Sequence, residues 1–253
     1  MSSKLILITN DDGVNSEGIR VLKKALASTG TVVIVAPNTE KSGSGHALTM
    51  HSPVRIKEIE KDIYSVTGFP SDCVYVAVHG LLPRKPDIII SGINKGANMG
   101  VDVYYSGTVA GVRQGIIDGI PCGFSISLVV DKKNKELLWE DAASFAVEMV
   151  RRLSEKGYTG KGFININYPN IPKSEIKGVR ITKMGDRRYL QEVKWGKDPR
   201  GENYCWLWGE YSCFNHIDDS DCVAIHEGFI SLTPILLDVT DYSVIEDMKS
   251  WKL

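Results

Sequence analysis

A strand, a helix and a second strand at the start of the chain constrain its fold more than any other feature. Residues 5–9 and 31–36 are short apolar runs of the kind that form buried strands. Between them, residues 16–28 show helical spacing of apolar side chains, with Ser16 as the candidate N-cap. Such a βαβ unit predicts a parallel sheet with right-handed crossovers.

The rest of the chain continues this alternation. Further strands are predicted at 53–58, 63–67, 87–91, 122–128, 163–167 and 228–236, and further helices at 71–82, 107–118 and 138–156.

We therefore predict one α/β domain over residues 1–253, in which residues 1–170 form a Rossmann-like, mostly parallel sheet flanked by helices. Residues 185–215 are polar, aromatic and poor in helical periodicity, which predicts a protruding hairpin or arm that contacts another subunit. A C-terminal helix is predicted at 240–252, capped by Thr240.

Composition argues against several classes of protein. The 253 residues have a formal net charge of -1, so no basic excess indicates binding to a nucleic-acid polymer or an anionic membrane. Neither a signal peptide nor a membrane span is predicted. The five cysteines form no C-x-x-C pair, which favours a reducing compartment, and we expect a cytoplasmic protein.

Three polar loops follow predicted strands. They contain Asn10-Asp11-Asp12-Gly13, residues 38–46 and residues 91–107. In an open parallel sheet, ligands bind at the carboxyl ends of the strands, close to a switch in strand order. If these three strands are parallel, we expect their loops to converge on one site.

The residue types in these loops indicate a cation and an anion. The adjacent carboxylates of Asp11 and Asp12 repel each other unless a cation such as Mg²⁺ or Mn²⁺ lies between them, which indicates a metal site. The simpler alternative to a metal site is a solvated Asp-Asp-Gly turn. Residues 41–45 could hold an anion or form a flexible surface loop; they match neither a dinucleotide-binding fingerprint nor a P-loop. Gly107 and Thr108 begin a predicted helix, where N–H groups favour phosphate, whereas Ser106 could serve as an N-cap.

At these residues the sequence resembles the survival protein SurE family of 5'/3'-nucleotidases over nearly the whole chain. The segments that carry the resemblance are Ile8-Thr9-Asn10-Asp11-Asp12-Gly13, Ala36-Pro37, Ser42-Gly43, Gly68-Phe69-Pro70-Ser71-Asp72-Cys73-Val74, Pro86-Asp87, Ser91-Gly92-Ile93-Asn94, Asn98, Tyr105-Ser106-Gly107-Thr108-Val109, Asp198-Pro199-Arg200-Gly201 and Glu227-Gly228-Phe229-Ile230-Ser231-Leu232-Thr233-Pro234.

The resemblance implies a metal-dependent phosphatase that acts on nucleoside 5'- and 3'-monophosphates and on short polyphosphate, and that assembles as a homodimer or homotetramer. It places one Mg²⁺ or Mn²⁺ ion per subunit on Asp11, Asp12, Ser42 and Asn94. Two departures from the family pattern are Lys41 in place of Arg, and Phe69 and Ser71 in place of a pair of Thr residues.

From these residue types we expect water to attack phosphorus in line, with Asp11 or Asp12 as base; an aspartyl-phosphate intermediate is the competing route. The phosphate oxygens are expected on Asn98, Ser106, Gly107 and Thr108. Further contacts with the substrate are expected from Asn10, Lys41, Gly43 and His46. A signalling receiver module and a nucleotide or metal sensor without turnover are the alternative functions.

Overall fold

A nine-stranded, mostly parallel sheet lies at the centre of the computed structural model, which describes residues 4–130, 136–158 and 160–251. The strands of this sheet, in chain order, are β1 (Leu5–Thr9), β2 (Thr31–Pro37), β3 (Ile56–Glu60), β4 (Ile63–Val66), β5 (Ile88–Lys95), β6 (Gly123–Val129), β7 (Gly162–Pro169), β8 (Val179–Ile181) and β11 (Ile230–Leu236). Their spatial order is β3-β4-β2-β1-β5-β6-β7-β11-β8.

The sheet reverses its winding between β1 and β5. From β1 the chain moves to β2 on one side, and it later returns to place β5 on the other side, with all of these pairs parallel. The antiparallel pairs are β3 with β4 and β7 with β11. Since a crevice opens where the winding reverses, the carboxyl ends of β1 and β5 are where this fold accommodates a ligand.

Helices cover both faces of the sheet, because apolar side chains of its strands point to both faces. The helices are α1 (Glu17–Leu26), α2 (Pro70–Val76), α3 (Gly107–Ile117), α4 (Trp139–Lys156), α5 (Asp221–His226) and α6 (Ile245–Lys249). Ile6 and Ile8 of β1 pack in the cluster that holds the apolar faces of α1 and α4. Leu5 and Leu7 point to the opposite face, where they share a cluster with α2 and α3. The α/β fold class predicted from the sequence is confirmed.

The predicted helix over 71–82 is split. Its first part is α2, and a π-helical turn over Ala77–Leu81 follows. The predicted cap of α1 also differs in detail, because Ser16 occupies the N-cap position but its hydroxyl accepts a hydrogen bond from Asn10 instead of from the helix. None of the helices among the described residues is long and apolar enough to cross a membrane.

Two long strands, β9 (Asp186–Lys197) and β10 (Asn203–Asn215), form an antiparallel hairpin outside the main sheet. It occupies the segment for which the sequence predicted an arm. Large apolar side chains on it lie in water: Trp195 is 73% exposed, Trp206 69% and Leu207 85%. Surface of this kind is typical of an element that packs against another protein.

The predicted C-terminal helix over 240–252 is wrong in its extent. The helix α6 begins only at Ile245 and ends at Lys249, and Thr240 does not cap it. Upstream, Asp238 accepts a hydrogen bond from the backbone N–H of Thr240, and Asp241 accepts one from that of Ser243. These local side-chain bonds to the backbone stabilise turns in competition with a helix.

Phe124 tests the packing of the sheet core. Its side chain is fully buried near the start of β6, in the cluster with α1 and α4, so we expect Phe124→Ala to lower the free energy of unfolding by about 3–5 kcal/mol in urea denaturation. Ile117→Ala is the control, because Ile117 is 55% exposed and its loss should change the stability by no more than about 0.5 kcal/mol. Equal effects of the two substitutions would contradict the assignment of the core.

Candidate active site

A polar cleft of about 240 Å³ lies at the carboxyl ends of β1 and β5. Residues of all three loops singled out from the sequence line it. The lining residues are Asp11, Ser42, Gly43, Asn94, Lys95, Ala97, Asn98, Asp102, Tyr105, Ser106 and Tyr189. The convergence expected from parallel strands therefore occurs in the structure.

Asp11 is held at the N-terminus of α3. The Thr108 hydroxyl donates a hydrogen bond to its Oδ1, and the backbone N–H groups of Gly107 and Thr108 also stabilise the carboxylate. Burial nevertheless dominates and raises the pKa of Asp11 above its ordinary value. A Cβ on Gly107 would lie 2.7 Å from the Asp11 Cβ, so only glycine allows this approach.

Asp12 is half-buried beside Asp11, and its Oδ2 accepts a hydrogen bond of 3.3 Å from the backbone N–H of Lys95. Burial, followed by the charge of Asp11, raises the pKa of Asp12 to about 6. The Lys95 charge lowers this pKa by less than those two effects raise it. The protein therefore keeps two carboxylates together at the cleft with too little positive charge of its own to balance them.

Neutral oxygen donors complete this cluster. The Ser42 hydroxyl donates to Glu40 Oε1 at 2.8 Å, which uses its proton and leaves its oxygen lone pairs for a cation. The Asn94 amide nitrogen donates to the carbonyl of Gly96 at 2.9 Å, and this bond leaves the amide oxygen as the acceptor end of the side chain.

This donor set fits a hard divalent cation. Among the described residues, no group of three or more His, Cys, Asp or Glu side chains is arranged to hold a metal, so a cation here needs Ser42 and Asn94 beside the two carboxylates. Oxygen-only ligands of mixed charge are those that Mg²⁺ and Mn²⁺ prefer. Burial and the charge of Asp11 raise the pKa of Asp12, and a cation bound to both carboxylates would offset these effects.

The residues predicted to bind phosphate have structural partners as well. Asn98 is buried, and its side chain donates to Ser127 Oγ at 2.8 Å. The Ser106 hydroxyl accepts from the backbone N–H of Val109, so Ser106 is the N-cap of α3, and Thr108 contacts Asp11. Ser106 and Asn98 still line the cleft, whereas Gly107 and Thr108 face Asp11.

Three of the four further candidates for substrate contact lie outside the cleft lining. The side chain of Asn10 bonds to Gly13 and Ser16 and so fixes the turn after β1. Lys41 lies 5.4 Å from the centre of the Phe69 ring, and His46 pairs with Gln114 at 2.8 Å. Gly43, the fourth, lines the cleft with a φ of 70°.

Five lining residues were not predicted from the sequence: Lys95, Ala97, Asp102, Tyr105 and Tyr189. The first four belong to the 91–107 loop, which was itself predicted to reach the site. Tyr189 lies on β9, and no local signal could have linked the hairpin to this cleft.

The Survival protein SurE family model matches residues 6–191. This chain belongs to the SurE family. The 5'-nucleotidase SurE of Syntrophotalea carbinolica is 41% identical over 249 residues, which cover 98% of each protein. That of Geobacter sulfurreducens is 42% identical over 248 residues, covering 98% of this chain and 94% of the relative. The crystal structure of the SurE protein from Aquifex aeolicus aligns with a TM-score of 0.84 at 38% identity, covering 97% of this chain and 98% of that one.

The two departures from the SurE pattern noted in the sequence prove to be neighbours. Lys41 and Phe69 form a cation–π contact beside the second loop, and the backbone N–H of Lys41 donates to the carbonyl of Asp11 at 2.7 Å. Ser71, the third departing residue, is fully buried at the start of α2. The Lys41–Phe69 pair therefore adjoins the loop, and neither residue is among those that line the cleft.

The stability of the metal-free protein should report on the carboxylate pair. The pKa of Asp12 is about 6 in the folded state and 3.8 when unperturbed, so the folded protein binds this proton more tightly than the unfolded chain. The free energy of unfolding should then fall as the pH rises through this window. We expect Asp12→Asn to be more stable than the wild type by about 1–2 kcal/mol near pH 8, because the amide removes a partly exposed charge that is disfavoured by burial and by Asp11, and equally stable near pH 4.

Urea denaturation with a chelator present measures this difference. Glu202→Gln is the control for the loss of a surface carboxylate, since Glu202 is exposed in the hairpin turn and lies outside the cleft lining. A constant offset between Asp12→Asn and the wild type across the pH range would contradict the repulsion between Asp11 and Asp12.

Proposed function

We propose that this protein is a divalent-metal-dependent phosphatase that hydrolyses nucleoside monophosphates to nucleoside and phosphate. The observation that carries the proposal is the Asp11–Asp12 pair at the reversal point of the sheet, where Asp11 lines the cleft and is held by the N-terminus of α3. The names of the relatives support the substrate class, because they are called 5'-nucleotidases.

In this proposal Asp11, Asp12, Ser42 and Asn94 hold one Mg²⁺ or Mn²⁺ ion. The ion would supply positive charge at the phosphoryl oxygens, where negative charge grows during the reaction. Asn98 and Ser106 line the cleft on the α3 side and would bind the remaining phosphate oxygens, together with the exposed Lys95.

Burial distinguishes the two carboxylates. Asp11 is 5% exposed and its Oδ1 is engaged by Thr108, so it has a fixed orientation. Asp12 is more accessible, and its carboxylate is the better candidate to accept the proton of an attacking water. Water then adds to phosphorus, the bond to the ester oxygen breaks, and the proton taken up by Asp12 passes to that oxygen, so the products are an alcohol and inorganic phosphate. A covalent phosphate trapped on either aspartate would replace this route with the aspartyl-phosphate route.

The finer assignments belong to the same proposal. We propose activity on both 5'- and 3'-monophosphates and on short polyphosphate, because the cleft is open to solvent and presents few groups beyond those for phosphate. A cytoplasmic location agrees with the five cysteines and the absence of a C-x-x-C pair in the sequence. The exposed Trp195, Trp206 and Leu207 would lie in the interface of a homodimer or homotetramer.

Phosphate release from a panel of nucleoside monophosphates tests the activity. The purified protein is assayed with Mg²⁺, with Mn²⁺ and with a chelator, beside Asp11→Asn/Asp12→Asn as the control for contaminating phosphatases. We expect release that requires the metal and falls at least about a thousandfold in the control. Metal and nucleotide binding without release would instead identify a sensor.

Gly107 tests the close approach of Asp11 to α3. A Cβ at this position would lie 3.0 Å from both Asp11 Oδ2 and Ser44 Oγ, so Gly107→Ala must displace the carboxylate. We expect kcat/KM to fall about a hundredfold, since such displacements misalign the reacting groups. Gly80→Ala is the matched control, because its Cβ would meet no atom within 4 Å. Unchanged activity of Gly107→Ala would show that the position of Asp11 is not critical.

A further inference from the structure

The root of the hairpin, defined as residues 186–189 of β9, contributes to one wall of the cleft. Tyr189 of β9 and Asp102, from a short 3₁₀ helix over Gly100–Tyr104, both line it. Asp102 and Tyr189 are far apart in sequence, and the structure joins them directly through their side chains. The hairpin, which the sequence predicted to contact another subunit, thus contributes Tyr189 to the same cleft as the groups proposed to bind phosphate.

Asp102 carries a negative charge in this wall, and two residues of the hairpin root cover it. The guanidinium of Arg187 forms a salt bridge with Asp102 Oδ2. The hydroxyl of Tyr189 lies 2.8 Å and 2.9 Å from the two carboxylate oxygens. Both side chains of the salt bridge are only 15% exposed, so solvent does little to screen either charge if the other is removed.

A second carboxylate fixes this part of the hairpin to the cleft loop. Asp221, fully buried at the start of α5, accepts hydrogen bonds from the backbone N–H groups of Gly100 at 2.9 Å and Gly185 at 2.8 Å. The two backbones are in such close contact that a Cβ on Gly100 would lie 2.4 Å from the carbonyl oxygen of Gly185. Arg187 is therefore held opposite Asp102 by the backbone as well as by its own charge.

The cleft already contains a surplus of negative charge. Asp11 lines it, the charges of Asp11 and Glu40 act on the neighbouring Asp12, and Lys95 is the cationic residue among the lining residues. A divalent cation together with Lys95 would balance Asp11, Asp12 and Glu40, and the charge of Asp102 would remain unbalanced. An anionic substrate can enter this cleft at low cost only if the charge of Asp102 is neutralised locally.

We propose that Arg187, supported by the hydroxyl of Tyr189, is a positioning residue that neutralises Asp102 and so lets the cleft accept a phosphate dianion. This inference rests on the proposed phosphatase function. Arg187 acts through Asp102 and makes no contact with substrate. The proposed role of Arg187 is electrostatic. A purely structural role, in which Arg187 only holds the hairpin in place, predicts the opposite effect of Asp102→Asn on KM.

Steady-state kinetics on the full-length protein with its metal separates these roles. We expect Arg187→Gln to raise KM for a nucleoside monophosphate about tenfold, with kcat changed less than about threefold, because an uncompensated carboxylate then faces the anion. Adding Asp102→Asn to Arg187→Gln should return KM to within about twofold of the wild type, since no charge is left to repel the substrate. Asp102→Asn alone should lower KM, because Arg187 then adds positive charge to the wall.

Matched controls come from the same hairpin. Arg188→Gln removes a cation from the adjacent residue, whose side chain is 60% exposed and pairs with Asp186, and it should leave KM unchanged. Tyr189→Phe removes only the hydroxyl bonds to Asp102 and should raise KM by about threefold. Tyr204→Phe, on the opposite strand, is its control. Thermal unfolding verifies that each variant is folded.

A rise in KM for Asp102→Asn, or no recovery in the Arg187→Gln/Asp102→Asn protein, would overturn the proposal and assign the cluster a structural role. If Arg187→Gln does not fold, Asp102→Asn and Tyr189→Phe still decide the question. Calorimetric titration of inorganic phosphate in the presence of Mn²⁺ gives a readout without turnover. Weaker phosphate binding by Arg187→Gln that is restored in the double variant would support the inference, whether or not the wild type releases phosphate. Absence of phosphate release by the wild type would reject only the proposed function.

Discussion

The contact between Asp11 and the N-terminus of α3 is the constraint on which the site depends. β1 ends in two adjacent carboxylates, which would repel each other in water and more strongly when buried. The chain places Asp11 against the first turn of α3, where the Thr108 hydroxyl and two backbone N–H groups offset its charge. Gly107 is the residue that permits this approach, and Asp12 is left as the less buried member of the pair.

Much of the fold could be predicted from the sequence because its elements are strongly periodic. The runs that became β1, β2 and β5 are continuous apolar segments, as parallel strands covered on both faces must be. Once those strands are taken as parallel, geometry alone brings Asp11, Ser42 and Asn94 to the same edge. The C-terminal helix was overestimated because Asp238 and Asp241 form turns whose hydrogen bonds compete locally with helix formation.

The remaining part of the site could not be predicted because it depends on tertiary contacts. Arg187 and Tyr189 lie in a polar, aromatic strand that resembles an ordinary hairpin, and nothing near them in sequence identifies Asp102 as their partner. The roles of Asn10 and Ser106 were similarly open, since Asn and Ser serve caps and turns as readily as ligand sites. The structure shows both in such bonds, to Ser16 and Val109 respectively.

The position of the hairpin root divides β9 and β10 into two parts under different constraints. At the root, Tyr189 lines the cleft and Arg187 pairs with Asp102, so a change at either residue alters the wall of the cleft. Beyond them, Trp195, Trp206 and Leu207 are exposed and lie outside the cleft lining, so this distal part can diverge with whatever surface it packs against. Exchange of the hairpin between related proteins would therefore be tolerated when the junction lies beyond Tyr189, and a junction at Asp186 would transfer part of the cleft wall with the hairpin.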